Sequence, residues 1–137
     1  MSILQTQTTS FKAELYTGVH NLSTNTLYIA LYTASADLNE STTVYSATNE
    51  VTGTGYVAGG VVLTGTTINS SGFTAYVSFD TVIFNAAVTA RSALIYNVTQ
   101  GNKSIFVLDF GADKTSTNFT ITMPANTATA ALIRSSN

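Results

Sequence analysis

Residues 89–110 read TARSALIYNVTQGNKSIFVLDF and contain the two clearest strand patterns of the chain, with a turn between them. Apolar side chains stand at both alternating positions of 91–98 and of 104–110, which is typical of central strands that are covered on two sides. The intervening Gly101 and Asn102 are residue types that readily adopt φ > 0 in a short hairpin loop. The stretch therefore predicts a β-hairpin in the centre of a sandwich or in a barrel wall.

The composition favours one β domain with an uncharged surface. A chain of 137 residues is long enough for one ordinary hydrophobic core. Only 9% of the residues are charged, against a typical share of about 25%, and threonine and serine supply much of the polarity. Because threonine is β-branched, this composition favours strands over surface helices. The net charge of −2 leaves little repulsion between copies, which favours a subunit that sits against neighbours over an isolated soluble protein.

The same composition argues against several classes of protein. The five lysines and arginines are scattered, so no basic patch is available to bind nucleic acid. The chain has no cysteine, and therefore neither a disulfide framework nor a thiolate metal site. Its first residues lack the basic and apolar pattern of a leader, and no apolar run reaches about 18 residues. We therefore expect neither a secreted precursor nor a membrane protein.

The pattern along the chain predicts an arm, a helix and about eight strands. Residues 1–9 are polar apart from Ile3 and Leu4 and are predicted to form a flexible N-terminal arm before a single domain over 10–137. Ser10 is predicted to cap a helix over 10–21 whose apolar stripe packs on the sheet. Strands are predicted over 27–33, 61–63, 73–79, 81–87, 91–98, 104–110, 118–123 and 128–134, with a polar tract at 65–72 and a turn at 111–116. The fold class is thus all-β, an antiparallel sandwich or jelly-roll-like barrel of about eight strands with one short N-terminal helix.

A long polar connection over 34–60 is the best candidate for a functional segment. Structureless loops of that length are uncommon in compact domains unless they have a role. This one carries three of the seven acidic residues, Asp37, Glu40 and Glu50. Its glycine-rich end, 53–60, permits sharp turns or a close approach between backbones.

The residues that could perform catalysis do not form a recognisable pattern. The single histidine, His20, stands at the predicted helix end, where we expect it to face solvent or to cap the helix. No second histidine or cysteine can complete a zinc site, and no serine lies in a G-x-S-x-G turn. Asp80 and Asp109 are expected at strand ends facing water, not as the facing carboxylate pair of a glycosidase. We therefore predict that the chain is not an enzyme.

Ligand patterns are equally weak. Asp37, Glu40 and Glu50 lack the spacing and the central glycine of a calcium-binding EF-hand loop. The glycines of 53–60 precede a strand and not a helix, so they lack the free amides and dipole of a nucleotide-binding loop. The tyrosines are scattered along strands, which is more typical of core or interface packing than of a sugar platform. No metal or cofactor is predicted.

Several segments, taken in order, resemble a family of small virion proteins of tailed bacteriophages. The resemblance extends from residue 27 to residue 134. It is carried by LYIALYTASADLNESTTVYSATNEVTGTGYVAGG at 27–60, ARSALIYN at 90–97, FVLDFGADKTST at 106–117, FTITMP at 119–124 and ALIR at 131–134.

The resemblance implies a non-enzymatic virion component that is present in many copies and is assembled in the host cytoplasm. The first expectation is a capsid decoration, or cement, protein that bridges and stabilises major capsid proteins. Such proteins are often homo-oligomers, either trimers or dimers, so the implied partners are the major capsid protein, other virion proteins and further copies of the chain. A tail, neck or fibre subunit is the alternative, and a carbohydrate-binding module is a third interpretation.

On this interpretation the arm and the long connection make the contacts with the virion. Tyrosine is enriched in interface cores, and flexible segments can cover much surface when they order on assembly. The predicted interface residues are Ile3, Leu4, Tyr45, Val51, Tyr56 and Val57.

Overall fold

The structure is a computed structural model that describes residues 3–136. It contains ten strands and one helix, which form an all-β antiparallel sandwich. In chain order the elements are β1 (Thr6–Gln7), α1 (Thr9–Tyr16), β2 (Leu27–Tyr32), β3 (Val61–Val62), β4 (Thr67–Ser71), β5 (Thr74–Ser78), β6 (Val82–Phe84), β7 (Val88–Asn97), β8 (Lys103–Ser116), β9 (Phe119–Ile121) and β10 (Ile133–Ser135). The predicted fold class is confirmed as a sandwich, and the strands of residues 3–136 close no barrel.

The main sheet is built on the predicted central hairpin. Its strand order is β1-β8-β7-β2-β3, and every neighbouring pair is antiparallel. The turn between β7 and β8 places Gly101 and Asn102 at φ values of +72° and +64°, so the predicted hairpin is confirmed. β2 pairs with β7 in unbroken register from Leu27↔Asn97 to Tyr32↔Ser92.

One face of the main sheet packs against a second layer. This layer consists of the three-stranded sheet β10-β5-β4, the pair β6-β9 and the helix α1. A single hydrophobic cluster joins the two layers, and we call it the main core. Its largest buried members are Phe11, Leu27, Ile29, Leu31, Phe79, Phe84, Ile95, Ile105, Phe106, Phe119 and Ile133.

The other face of the main sheet is covered by the long connection and not by another sheet. Ala30, Leu94 and Val107 on this face are fully buried. Ala36 and Leu38 from the connection complete this second core. The apolar residues on both faces of β7 and β8 are therefore explained, because two different kinds of cover bury them.

The helix begins earlier and ends earlier than predicted. Thr8, and not Ser10, is its N-cap, and the Thr8 hydroxyl oxygen accepts a hydrogen bond from the Phe11 amide at 3.3 Å. α1 ends at Tyr16, and Phe11 is its one buried residue. No helix within residues 3–136 has the length and apolar character needed to cross a membrane.

The prediction of a flexible arm over 1–9 is wrong for residues 3–9. Ile3 forms a bridge to Leu38, and β1 pairs with β8 through Thr6↔Val107. Thr8 is fully buried, and its hydroxyl lies 2.9 Å from that of Ser104. These residues belong to the domain, while residues 1 and 2 lie outside the described part of the chain.

Two segments that were predicted to lack strands are strands. The polar tract 65–72 contains β4, which pairs with β5 from Thr67↔Ser78 to Ser71↔Thr74. The predicted turn at 111–116 is the end of β8, which continues to Ser116 opposite Val88. Both segments are exposed on their two faces, so they show no apolar alternation. The last strand is confined to β10, because residues 127–131 form a turn in which the amide of Ala131 donates to the Thr127 carbonyl.

Gly60 allows the end of the long connection to come close to the backbone of β2, just before β3 pairs with that strand. Its φ is +83°, and a Cβ atom at this position would overlap the carbonyl oxygen of Ile29 and lie 2.8 Å from the Cα of Ala30. We expect Gly60→Ala to lower the free energy of unfolding by about 3 kcal/mol, because left-handed strain adds to the cost of separating two backbones.

Gly18→Ala is the matched control for this substitution. Gly18 also has a positive φ, of +75°, but nothing lies within 4 Å of its added Cβ. Only the strain remains, so we expect a loss of about 1 kcal/mol. Urea unfolding of both variants measures the difference, and equal losses would contradict the close backbone approach at Gly60.

Candidate functional site

The carboxylate of Glu50 makes hydrogen bonds to three other residues of the long connection. Its Oε1 accepts a hydrogen bond from the Tyr45 hydroxyl at 2.5 Å. Its Oε2 accepts one from the Tyr56 hydroxyl at 2.5 Å and another from the Gly59 amide at 2.8 Å. One charged group therefore joins three points of the segment, and such charge-assisted bonds are stronger than neutral ones.

Tyrosine hydroxyls join the same segment to the main sheet. The Tyr56 hydroxyl oxygen accepts a hydrogen bond from the Leu31 amide at 3.0 Å. Tyr96 donates to the Gly59 carbonyl at 2.5 Å, and Tyr32 donates to the Ser46 carbonyl at 2.6 Å. Together with Glu50, the tyrosines at 32, 45, 56 and 96 form what we call the Glu50 cluster.

Ring packing supports these hydrogen bonds. The Tyr45 ring stacks on the Tyr96 ring with centroids 4.7 Å apart and planes 21° apart. The Tyr28 ring also packs on the Tyr96 ring, with centroids 6.2 Å apart. Tyr56 turns towards the main core and stacks on Phe84 at 6.0 Å. Five of the seven tyrosines therefore serve to hold the connection in place.

The electrostatics of the Glu50 cluster keep its tyrosines protonated. Burial raises the pKa of Tyr96 to about 12, and the charge on Glu50 adds to the shift. Burial, followed by the charge on Glu50, also raises the pKa of Tyr32. For Tyr45 and Tyr56 burial is again the largest cause of the raised pKa, and the hydrogen bond to Glu50 is the next. The cluster therefore consists of neutral donors around one carboxylate, which is an arrangement that fixes structure.

The predicted interface residues do not form one surface. Val51 has only 3% of its surface exposed and belongs to the main core, against which Tyr56 also packs. Tyr45 packs against the second core, on the opposite face of the main sheet. Val51 therefore lies inside the domain, whereas Tyr56 is half-buried with its side chain against the main core.

The remaining predicted interface residues are accessible. Val57 is 72% exposed at a turn closed by the Gly60 amide, which donates to the Val57 carbonyl at 3.0 Å. Leu4 is about half exposed, and Ile3 is partly buried beside Leu38. The structure thus retains Val57 as the most exposed apolar side chain of the predicted set.

His20 is buried, which contradicts the expectation that it faces solvent. Its Nε2 lies 2.8 Å from the Glu14 carboxylate, and its Nδ1 lies 2.9 Å from the side-chain amide nitrogen of Asn97. Its ring packs on Phe11 at 5.0 Å. Because Asn97 donates to Nδ1, the hydrogen on Nε2 is donated to Glu14. The histidine joins the segment after α1 to the end of β7 and has no nucleophile among these partners.

The carboxylates of Asp80 and Asp109 lie in separate surroundings. Asp109 lies within β8 and not at a strand end, and it accepts hydrogen bonds from the Gly111 amide at 2.8 Å and from Arg91 at 3.1 Å. The Gly111 amide, followed by Arg91, lowers the pKa of Asp109. Asp80 lies instead beside Thr64 and Gly65. Residues 3–136 contain no group of three or more histidine, aspartate or glutamate side chains that could hold a metal ion.

Exposed apolar side chains are a further candidate feature, since they can form contacts with a partner. Tyr16 and Phe73 are the most exposed, at 91% and 90%. Sequence reasoning missed both, and it placed Phe73 at the start of the predicted strand 73–79, whereas Phe73 lies in the turn between β4 and β5. Within residues 3–136 the exposed large apolar side chains are Leu4, Leu15, Tyr16, Val44, Val57, Val62, Ile68, Phe73, Ile83 and Val98.

Comparison of the chain with protein-family models and with curated proteins, and of the fold with solved structures, found no match.

Proposed function

We propose that the chain is a structural protein of a tailed-bacteriophage virion and, more specifically, a capsid decoration protein that bridges and stabilises major capsid proteins. The proposal extends the resemblance of residues 27–134 to small virion proteins. It is supported by the use of Glu50, His20 and Asp109 in bonds that hold the fold together. Such a domain offers its partners a surface and not a reaction centre.

The observation that carries the proposal is that exposed valines adjoin the tyrosines of this region: Val44 precedes Tyr45 and Val57 follows Tyr56. We call Val44, Val57 and Val62 the valine surface; each has about half or more of its area exposed. Val62 is the strand neighbour of Tyr28, which packs on Tyr96. Exposed apolar patches with few charges are typical of protein interaction sites.

The Glu50 cluster prepares this surface before any partner binds. Because the connection is already ordered, contact with a capsid does not have to offset the loss of its conformational entropy. The flexible clasp predicted from the sequence is thus replaced in the proposal by a preformed docking face.

Cryo-electron microscopy of purified virions tests the location. The proposal expects density for this chain repeated over the icosahedral shell. Density confined to the tail, the neck or a fibre would reject the decoration role and support the alternative of a tail, neck or fibre subunit. Absence of the chain from virions, combined with binding on a glycan array, would support the third interpretation, a carbohydrate-binding module.

A substitution in the valine surface tests the contact itself. We expect Val57→Asp to weaken binding of the purified protein to capsids that lack it by at least about 10-fold, because a charge would be buried without a partner. The melting temperature should stay unchanged, since Val57 is mostly in solvent. Ala34→Asp, an exposed position of the same connection, is the control and should bind normally. Normal binding by Val57→Asp would exclude the valine surface as the capsid contact.

A further inference from the structure

The strand β4 forms an open edge of the second layer. It is the outer strand of the sheet β10-β5-β4, and all five of its residues are exposed. It pairs with β5 in continuous register without a bulge. On its other side no strand within residues 3–136 pairs with it. Its outer backbone groups are therefore free to pair with another strand.

This edge lacks the features that usually prevent pairing between molecules. Natural edge strands are protected by short length, charged side chains, proline or bulges. β4 reads TINSS, and residues 66–79 include no charged residue and no proline.

The other edges are protected in these ways. β1 and β3 have two residues each, and β6, β9 and β10 have three each. The free end of β8 carries Asp113 and Lys114. β4 is therefore the edge that stands out among the described strands.

An exposed apolar face continues from this edge. Ile68 in β4 is 53% exposed and is paired with Val77 of β5, so both side chains lie on the same face. Phe73 lies in the turn between these strands, with 90% of its area exposed. The face borders an open groove of about 880 Å³ whose other wall is formed by Leu15 and Tyr16 of α1. Edge and groove together leave apolar area that the domain itself does not cover.

A second copy of the chain fits this edge because the edge is complementary to itself. Two identical strands can pair antiparallel about a two-fold axis, so each copy supplies what the other needs. With the axis beside Asn69, the middle residue of β4, Ile68 of each copy lies opposite Ser70 of the other on one face. The absence of charge over residues 66–79 means that this pairing brings no like charges together.

We propose that two copies of the chain associate through β4 to form a continuous six-stranded sheet with a two-fold axis beside Asn69. The two grooves then lie on the same side of the joined sheet, and the two Ile68 side chains lie on one face as diagonal neighbours across the axis. The proposal concerns the protein in solution and does not depend on its role in a virion.

Charge reversal at Asn69 tests the pairing. Asn69 is exposed and lies opposite itself in the proposed sheet, so Asn69→Lys places two positive charges together, and Asn69→Glu places two negative ones. By analytical ultracentrifugation we expect the unchanged protein to have twice the 14.4 kDa mass of one chain. Each variant should be monomeric, with the dissociation constant of the dimer raised by at least about 100-fold. An equimolar mixture of the two variants should restore the dimer, because opposite charges then face each other.

Two further measurements test whether a loss of the dimer is due to the β4 contact and not to the added charge alone or to unfolding. Thr120→Lys adds the same charge at an exposed position of β9 and should remain dimeric. Hydrogen exchange should show protected β4 amides in the unchanged protein and loss of that protection in Asn69→Lys, while circular dichroism stays the same. A monomeric or trimeric unchanged protein, or a dimer that survives Asn69→Lys, would overturn the proposal.

Discussion

Glu50→Ala is expected to lower the free energy of unfolding by about 4 kcal/mol or more. The substitution removes three hydrogen bonds to a carboxylate, each worth about 1.5–3 kcal/mol. It also leaves the half-buried hydroxyls of Tyr45 and Tyr56 without their acceptor. Because these bonds hold the connection over 33–60, the second core should lose its cover before the rest of the domain unfolds.

Urea unfolding and hydrogen exchange measure the two parts of this prediction. Exchange should accelerate in residues 33–60, while the amides of β7 remain the slowest in the chain. Glu40→Ala is the control, because Glu40 is an exposed glutamate of the same connection. Its substitution should cost less than about 0.5 kcal/mol. Glu50→Gln should fall between the two, since an amide can accept from one tyrosine but presents a donor to Gly59. Equal stability of the Glu50→Ala and Glu40→Ala variants would contradict the proposed role of the cluster.

The role of Glu50 could not be predicted from sequence. Its partners stand at positions 45, 56 and 59, and the tyrosines that complete the cluster come from β2 and β7. This spacing follows no helical or strand period, so no local pattern marks it. The length of the connection indicated that the segment has a role. The structure shows that it covers one face of the main sheet, which the length alone did not predict.

The central hairpin was predictable because the apolar character of its residues indicates directly that both faces of its strands are buried. Strands that are buried on both faces read as continuous apolar runs, and 93–96 (ALIY) and 105–108 (IFVL) are such runs. The ends of the sheets gave no such signal. β4 and the last residues of β8 are polar and exposed, so only their partners across the sheet make them strands.

The interface prediction relied on a composition rule that fits two different situations. Tyrosine and valine in a polar loop are typical of interfaces, but they are equally suited to hold a loop against its own domain. Val51 and Tyr56 do the latter, whereas Val57 remains in solvent. Burial depends on where the connection lies relative to the sheet, and sequence alone did not specify that position.

The two proposed contacts lie on different layers and are compatible. Val62 lies in β3 of the main sheet, and Val44 and Val57 lie in the long connection, whereas β4 belongs to the second layer. A two-fold dimer through β4 would carry two valine surfaces. A protein that bridges neighbouring capsid subunits needs at least two contact sites, so dimer formation would supply the bridging function that a single copy lacks.

Unfolding at alkaline pH is the second large effect that we expect. The pKa values of Tyr32 and Tyr96 are raised above the ordinary value of 10.0, to about 12 for Tyr96, and both side chains are buried. The folded state therefore holds their protons more tightly than the unfolded state does. Stability is fully present below pH 10 and is lost as the pH rises above it, by about 1.4 kcal/mol per pH unit for each tyrosine. Between pH 10 and pH 12 these two residues alone remove about 5 kcal/mol, a large part of the stability of an ordinary domain.

Tyrosinate absorbance and circular dichroism, followed together over pH 9–12.5, test this sign and window. We expect part of the absorbance change to coincide with a cooperative loss of β structure between pH 10 and pH 12, because the tyrosines of the Glu50 cluster ionise only on unfolding. The Tyr96→Phe variant lacks one of the hydroxyl groups whose ionisation is coupled to unfolding, so its stability should decline less steeply with pH. At neutral pH the variant should be less stable, because the hydrogen bond to Gly59 is lost. Complete ionisation of all seven tyrosines in a protein that stays folded at pH 12 would show that the cluster is open to solvent and does not hold the connection.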